Sequence, residues 1–189
     1  GHAWTHVYAK AWITRNRECV NGRKGDEVAT EGLALFAPTR ITGVTALRLS
    51  PGRVALTARL PSFPGMSVAV THLSAGQQSQ PEREREIELL LPWAGRQRAA
   101  ILMGDFNALP QAIELTRVTA RYQDAWAAAA GRGLANGVES GATRAGRRGS
   151  RIDYVFYAAG AGLALESVEV VDTSTPEGLP EASDHRPVV

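Results

Sequence analysis

The sequence predicts a layered α/β sandwich in which strands outnumber helices. Short runs of alternating or continuous apolar residues recur along the chain, the pattern of half-buried and buried strands. The first of these runs are joined by brief Pro/Gly connections, which suit antiparallel neighbours. A stretch of helical period then separates two strand-like runs. Together these features fit a layered sandwich better than a doubly wound parallel sheet.

"EGLALFAP" (31–38) alternates as a half-buried strand does, and "ITGVTALRL" (41–49), "RVALTARL" (53–60) and "SVAVTHL" (67–73) follow as further strands, separated by "SPG" and "PSFPG". After "SAGQQSQ" the period changes, and "PEREREIELLLPWAGRQ" (81–97) reads as a helix. Pro81 suits a first helical turn, Glu82, Glu84 and Glu86 complement the positive helix end, and Ile87, Leu90 and Leu91 make the apolar stripe. Pro92 is expected to end or kink that helix. A buried strand follows at 99–104, then a helical stretch around "DAWAAAA" (124–130) and a Gly/Arg-rich loop (131–150). "RIDYVFYA" (151–158), "LALESVEVV" (163–171) and the terminal "HRPVV" complete the strands. No repeat, low-complexity block or linker divides the chain, so 1–189 reads as a single domain.

The 189 residues suffice for one substantial core. The 44% hydrophobic and 21% charged fractions are those of an ordinary globular protein, and no apolar run approaches the length of a membrane-crossing helix. Net charge is only +2, with Lys10 and Lys24 the only lysines. Arginine grips phosphate in a bidentate way that lysine does not, although genomic base composition gives the same bias. One cysteine, Cys19, rules out an intrachain disulfide framework. These bounds leave a secreted or a cytoplasmic location open, with a monomer expected.

Chemistry-bearing residues gather where the strands end. In "AAILMGDFNALP" (99–110) the strand breaks at Gly104 and delivers Asp105 and Asn107. Side chains two apart on an extended backbone point the same way, so both offer oxygens to one point, a geometry suited to a hard cation or a phosphate-bound water. The same residues also form turns, and alone the stretch favours a turn. "AVTHL" sets His72 at the end of a strand with Val68 and Val70 inside, "SRIDYVFY" sets Asp153 among Ile152, Val155 and Phe156, and "EASDHRPVV" sets Asp184 and His185 before the last strand. A single such His or Asp is more often structural. Four sites at strand boundaries, where loops gather, shift the balance toward function.

Phosphodiester hydrolysis calls for these residue types. It needs a water stripped of a proton, neutralised charge on the phosphate oxygens and a stabilised leaving alkoxide. A His of near-neutral pKa serves as base once a carboxylate fixes its tautomer, and one or two carboxylates suffice to hold Mg²⁺, which keeps several waters. There is no Cys/His cluster for zinc, no Walker-type "GxxxxGK[ST]" and no "GxSxG" elbow. Thr143, Arg144, Arg147, Arg148 and Arg151 crowd the loop into Asp153. That loop is either a flexible connection or a grip on a nucleic-acid backbone or phosphorylated head group.

"THL", "GDFN", "RIDYVF" and "SDHRPV", in that order from about residue 31 to the C-terminus, resemble the endonuclease/exonuclease/phosphatase superfamily. Each motif alone is weak, and their order and combination carry the specificity. The resemblance implies a deoxyribonuclease I-like, four-layer α-β-β-α sandwich of two mixed, mostly antiparallel sheets with a Mg²⁺-dependent phosphoesterase site at one end. Mn²⁺ and Ca²⁺ are further candidates. It implies His185 as general base, with Asp184 orienting it or binding metal. Asp105 and Asn107 would position the attacking water and phosphate and share the metal with Asp184. His72 would stabilise phosphate oxygens or protonate the leaving oxygen, and Asp153 would lie near the leaving group or metal. In the deoxyribonuclease branch a Glu in a "KER-aromatic-Leu" context partners the second histidine. Glu31 in "ATEGLALF" sits at the matching place, so it is expected to hydrogen-bond to His72 across neighbouring strands.

Family members begin with an Asn-bearing strand, a helix and a second strand ending in "QE", whose Glu is the principal metal ligand. Nothing in residues 1–30 matches them, and "WTHVYAKAWITRNREC" resembles the region that follows that Glu. The expectation is a domain lacking two strands of one sheet. Asp184, Asp105 and Asn107 would then converge without an opposing Glu, unless Glu27 or Glu31 fills that place. A nuclease acting on nucleic acid is the first reading. A sphingomyelinase or inositol-phosphate phosphatase of the same fold is the nearest rival, and a non-catalytic binding or toxin-like module is the alternative from another class.

Overall fold

In a computed structural model, which describes residues 4–15, 28–61, 64–145, 149–173 and 183–189, the chain opens with β1 (Thr5–Arg15) and β2 (Val28–Ala37), paired antiparallel as a sheet of their own. β3 (Thr42–Ser50), β4 (Arg53–Arg59) and β5 (Ser67–His72) form an antiparallel meander, as their short connections predict. α1 (Gln80–Arg96) then carries the chain across to β6 (Ala99–Asp105), which runs parallel to β5. A parallel neighbour requires a crossover of this kind. α2 (Ile113–Thr119), β7 (Tyr122–Asp124), α3 (Ala125–Ala130), β8 (Ala135–Gly137), β9 (Asp153–Ala158) and β10 (Val168–Val170) follow. The main sheet has the order β3-β4-β5-β6-β9-β7, and β8 pairs with β10 in a third, two-stranded sheet. The fold is α/β with mixed sheets, as expected.

Alternation sorts the main sheet into two faces. Ala55, Ala69, Leu102, Tyr154 and Phe156 pack with Ile87, Leu90 and Leu91 of α1 and Leu115 and Val118 of α2 in the principal core. Phe106 sits edge-on to Tyr154 and Phe156 at 5.6 and 5.1 Å between ring centroids, in the favoured T-shaped arrangement. On the opposite face Val54, Leu56 and Val70 meet Val7, Ala9, Leu33 and Leu35 of the β1–β2 ribbon. Val155 and Tyr157 meet Val168 and Val170 beside α3.

Several elements depart from expectation. α1 runs through Pro92 to Arg96, because the proline lies on the exposed side while Leu91, Trp93 and Ala94 are buried around it. Glu86 does not sit at the helix end: it lies in the second turn and is 1% exposed. The run 163–171 is strand only at Val168–Val170, where β8 supplies partners. The terminal "HRPVV" contributes two isolated bridges, Arg144 to His185 and Val170 to Val188. β1, α2, β7 and β8 escaped the sequence reading; the last two are only three residues long each.

Gly104 has a φ of 136°, and a Cβ there would lie 1.9 Å from the Thr71 carbonyl oxygen on β5. Only glycine lets β5 and β6 approach so closely. Gly104→Ala is therefore expected to destabilise the protein by about 4 kcal/mol or more, the upper range for one substitution. Urea unfolding measures this, and a cost under about 1 kcal/mol would show the contact to be unimportant.

Candidate active site

Strand register alone builds the centre of the site. His72 on β5 stands opposite Asp105 on β6, and Asp105 stands opposite Asp153 on β9. Three chemistry-bearing side chains thus form a row across three adjacent strands at one end of the sheet. The His72 ring nitrogen Nε2 lies 3.5 Å from Asp105 Oδ2.

His185 arrives from the far end of the sequence. Its Nδ1 lies 2.8 Å from Asp153 Oδ2. The fully buried Thr143 makes the junction: its Oγ1 accepts from the backbone N–H groups of Ile152 (3.1 Å) and Asp153 (3.0 Å). Its carbonyl accepts from Arg186 N–H at 2.6 Å, and Arg144 bridges to His185. One threonine therefore holds the Asp153 strand end and the His185 segment together.

Asn107 folds back on Asp105. Its N–H donates to Asp105 Oδ1 (2.7 Å), while Nδ2 donates to Asp105 Oδ2 (3.1 Å) and to the Leu73 carbonyl (3.0 Å). Its φ of 49° is left-handed, a conformation Asn tolerates through such local hydrogen bonds. With both amide hydrogens engaged, Oδ1 is the group it offers to the site. Between the two, Phe106 turns inward to the core.

Burial pushes the Asp105 carboxyl above its ordinary value, and the nearby Asp153 carboxylate adds to the effect; the Asn107 N–H opposes it. Burial lowers His72 from 6.5 to about 4, with the Arg53 guanidinium as the second cause. Arg53 opens β4 and lines one pocket of about 370 Å³ with His72, Tyr8 and Glu31. The sequence reading missed Arg53 because no motif surrounds it. The signal available was its place beside a tight "SPG" turn at a strand start.

The other anticipated residues divide. Glu31 lines that pocket but is exposed, and it pairs through β1 opposite Trp12, in a different sheet from His72. The two are therefore not on neighbouring strands, and no hydrogen bond joins them among the described residues. Asp184 is exposed, and the carboxylate that meets His185 is Asp153. Arg144 is exposed and lines a groove with Asn107. Arg151 turns away: its Nη1 lies 2.6 Å from Asp124 Oδ2, its side chain is 10% exposed, and its guanidinium stacks 4.8 Å over the Tyr154 ring. Glu27, Arg147 and Arg148 lie outside the described residues.

Asp105, Asp153 and His185 each offer one ligand atom, all within 4.8 Å of one another. Two such carboxylates suit a hard divalent cation, which completes its shell with waters. A cation there would offset the mutual repulsion of the two carboxylates.

A family model described as the Endonuclease/Exonuclease/phosphatase family matches residues 5–185. Among solved structures, the human nocturnin catalytic domain with a bound sulfate anion superposes with a TM-score of 0.66 at 21% identity, over 96% of this chain and 69% of that one. An endonuclease/exonuclease/phosphatase protein from Bacteroides vulgatus gives 0.67 at 18% identity, over 98% of this chain and 74% of that one. A Bacteroides thetaiotaomicron mannosyl-6-phosphatase gives 0.60 at 18% identity, over 97% and 75%. No curated protein matches the chain.

The His72 shift has a measurable sign. The folded value of about 4 lies below the ordinary 6.5, so the unfolded chain takes up this proton first. The contribution of His72 to stability therefore declines as pH falls from about 6.5 to about 4 and is flat on either side. Ring-proton NMR of the metal-free protein is expected to show its midpoint near 4, and a midpoint at or above 6.5 contradicts this downward shift.

Proposed function

The chain belongs to the endonuclease/exonuclease/phosphatase family, and from that membership we propose that it is a divalent-metal-dependent phosphodiesterase, with nucleic acid as its first substrate class. The observation that carries this reading is the 2.8 Å contact of His185 Nδ1 with Asp153 Oδ2, directly opposite Asp105 in the strand register. An imidazole whose Nδ1–H is held by a carboxylate keeps Nε2 free to take a proton. In this reading His185 removes the proton from the attacking water, and Asp153 fixes its tautomer and stabilises the imidazolium. Asn107 Oδ1 orients that water. His72, neutral near pH 7, and Arg53 donate to the phosphate oxygens, where Arg53 adds the fixed positive charge.

Asp105 and Asp153 would hold a divalent cation, which supplies charge neutralisation at the phosphate. The similar folds include one named as a phosphatase and one holding sulfate, a tetrahedral anion of phosphate shape. The lipid rival keeps one supporting observation. Trp4, just before β1, and Phe36 of β2 are each 64% exposed, where aromatics would suit a sphingomyelin surface.

A panel of plasmid DNA, RNA, sphingomyelin vesicles and inositol phosphates, with Mg²⁺ or excess chelator, tests the reading. Hydrolysis is expected for nucleic acid and only with the cation. Asp105→Ala and His185→Ala are each expected to lower kcat by roughly 10²- to 10⁴-fold with the fold intact. Near-native turnover in either variant, or in chelator, refutes the assignment. Cleavage confined to sphingomyelin or inositol phosphates moves it to the rival substrate.

A further inference from the structure

Glu86 is a carboxylate at 1% exposure on the helix that packs against the sheet, in line with the apolar stripe Ile87, Leu90 and Leu91. A well-packed apolar residue commonly serves such a position as well or better, because burying a carboxylate carries a desolvation cost. Its hydrogen bonds show what it does instead. Oε1 accepts from Ser50 Oγ (2.5 Å) and Ser74 Oγ (2.6 Å), and Oε2 accepts from the Ser74 backbone N–H (2.8 Å).

Those two serines belong to the two loops that present the site. Ser50 ends β3 at the turn that delivers Arg53, and Ser74 follows β5 two residues after His72. Between His72 and Ser74, the Leu73 carbonyl accepts from Asn107 Nδ2 and the Leu73 N–H donates to the Asp105 carbonyl. One helical turn earlier, Arg83 braces the same loop: its Nη1 donates to the carbonyls of Ser74 (3.1 Å) and Gly76 (2.8 Å), and its Nε pairs with Glu114 at 2.8 Å. The loop after β5 is thus held on both its N–H and C=O groups from the helix side.

We propose that Glu86 is a positioning residue that fixes the His72 loop against the Arg53 turn and so sets the spacing of the two groups that meet the phosphate. The proposal rests on the phosphodiesterase reading for its catalytic consequence, and on the hydrogen-bond geometry alone for its structural one. Glu86 touches neither substrate nor reacting atoms. It works through Ser50 and Ser74, and a misplacement of about 1 Å at the reacting groups can cost roughly 10²-fold in rate.

Glu86→Leu keeps the volume and removes every acceptor, whereas Glu86→Gln keeps an acceptor for Ser74 N–H and a polar group for the hydroxyls. Expected for Glu86→Leu is a kcat lowered roughly 10- to 100-fold with KM nearly unchanged, and rescue to within a few-fold by Glu86→Gln. Ser50→Ala and Ser74→Ala, less disruptive of folding, are expected to lower kcat several-fold each. NMR supplies a readout independent of turnover: the His72 ring signals should shift or broaden in Glu86→Leu and Ser74→Ala and hold near native positions in Glu86→Gln. Native-like kcat in both serine variants, or unchanged His72 signals in Ser74→Ala, overturns the positioning role. An inactive native protein whose His72 signals respond as expected leaves the clamp standing and removes the phosphodiesterase reading instead.

Discussion

The register of three strands is the constraint on which the rest depends. β5, β6 and β9 place His72, Asp105 and Asp153 in one row, and a slip of one residue on any strand would turn its member to the helix-covered face. Gly104 makes the tightest part of that register possible, since its Cα faces the Thr71 carbonyl with no room for a Cβ. The buried cluster of Phe106, Tyr154 and Phe156 then fixes the helix-side faces of β6 and β9. Packing on one face therefore determines chemistry on the other. This is why residues of the site are supported by groups that never reach it.

The buried ions of this molecule follow that division. Arg83 with Glu114, Arg151 with Asp124, and Glu86 with its two serines are all withdrawn from water yet supplied with partners. Burial of this kind adds little to stability compared with an apolar core. It does impose direction, because a charge-assisted hydrogen bond loses strength quickly with angle and distance. Each of these ions grips a loop or strand end next to the site: Arg83 and Glu86 the segment after His72, and Arg151 the approach to Asp153. The remaining charges, Asp105, Asp153, His72 and Arg53, gather at the opening, where burial first, and then the Asp153 carboxylate and the Arg53 guanidinium, raise Asp105 and lower His72.

Much of the site was legible because it is written in short motifs at strand ends. "GDFN" carried its geometry directly: two polar side chains on one side, an aromatic between them on the other, and a glycine before them. "RIDYVF" and "THL" were legible for the same reason, since alternation tells which residues share a face. The meander of β3, β4 and β5 was equally plain from its Pro/Gly turns. Alternation within one strand says nothing, however, about which strand lies alongside. Glu31 looked like a neighbour of His72 and lies in another sheet. Arg151 looked like a free cation and is claimed by Asp124, 27 residues earlier. Arg53 and Glu86 stood in no motif at all, and Glu86 resembled an ordinary solvated acid of a helix start.

The pairing of His185 with Asp153 shows where the boundary between legible and illegible lies. Asp184 is adjacent in sequence and was the natural carboxylate to assign to His185. Asp184 lies exposed at a bend just before the His185 bridge, so the neighbour in sequence is badly placed to hold the ring. The partner has to come from another strand, and here it comes from 32 residues away. What brings it there is Thr143, which the sequence groups with the arginines of a candidate substrate-gripping loop. It is buried entirely and spends its oxygen on the N–H groups of Ile152 and Asp153. The backbone of the same residue and its neighbour receives the His185 segment. A threonine suits the task because one short side chain satisfies two strand-end donors while its carbonyl accepts from the Arg186 N–H of the His185 segment. The dyad is therefore a product of tertiary hydrogen bonding at a single buried junction, and no inspection of "SDHRPV" by itself could have supplied its second member.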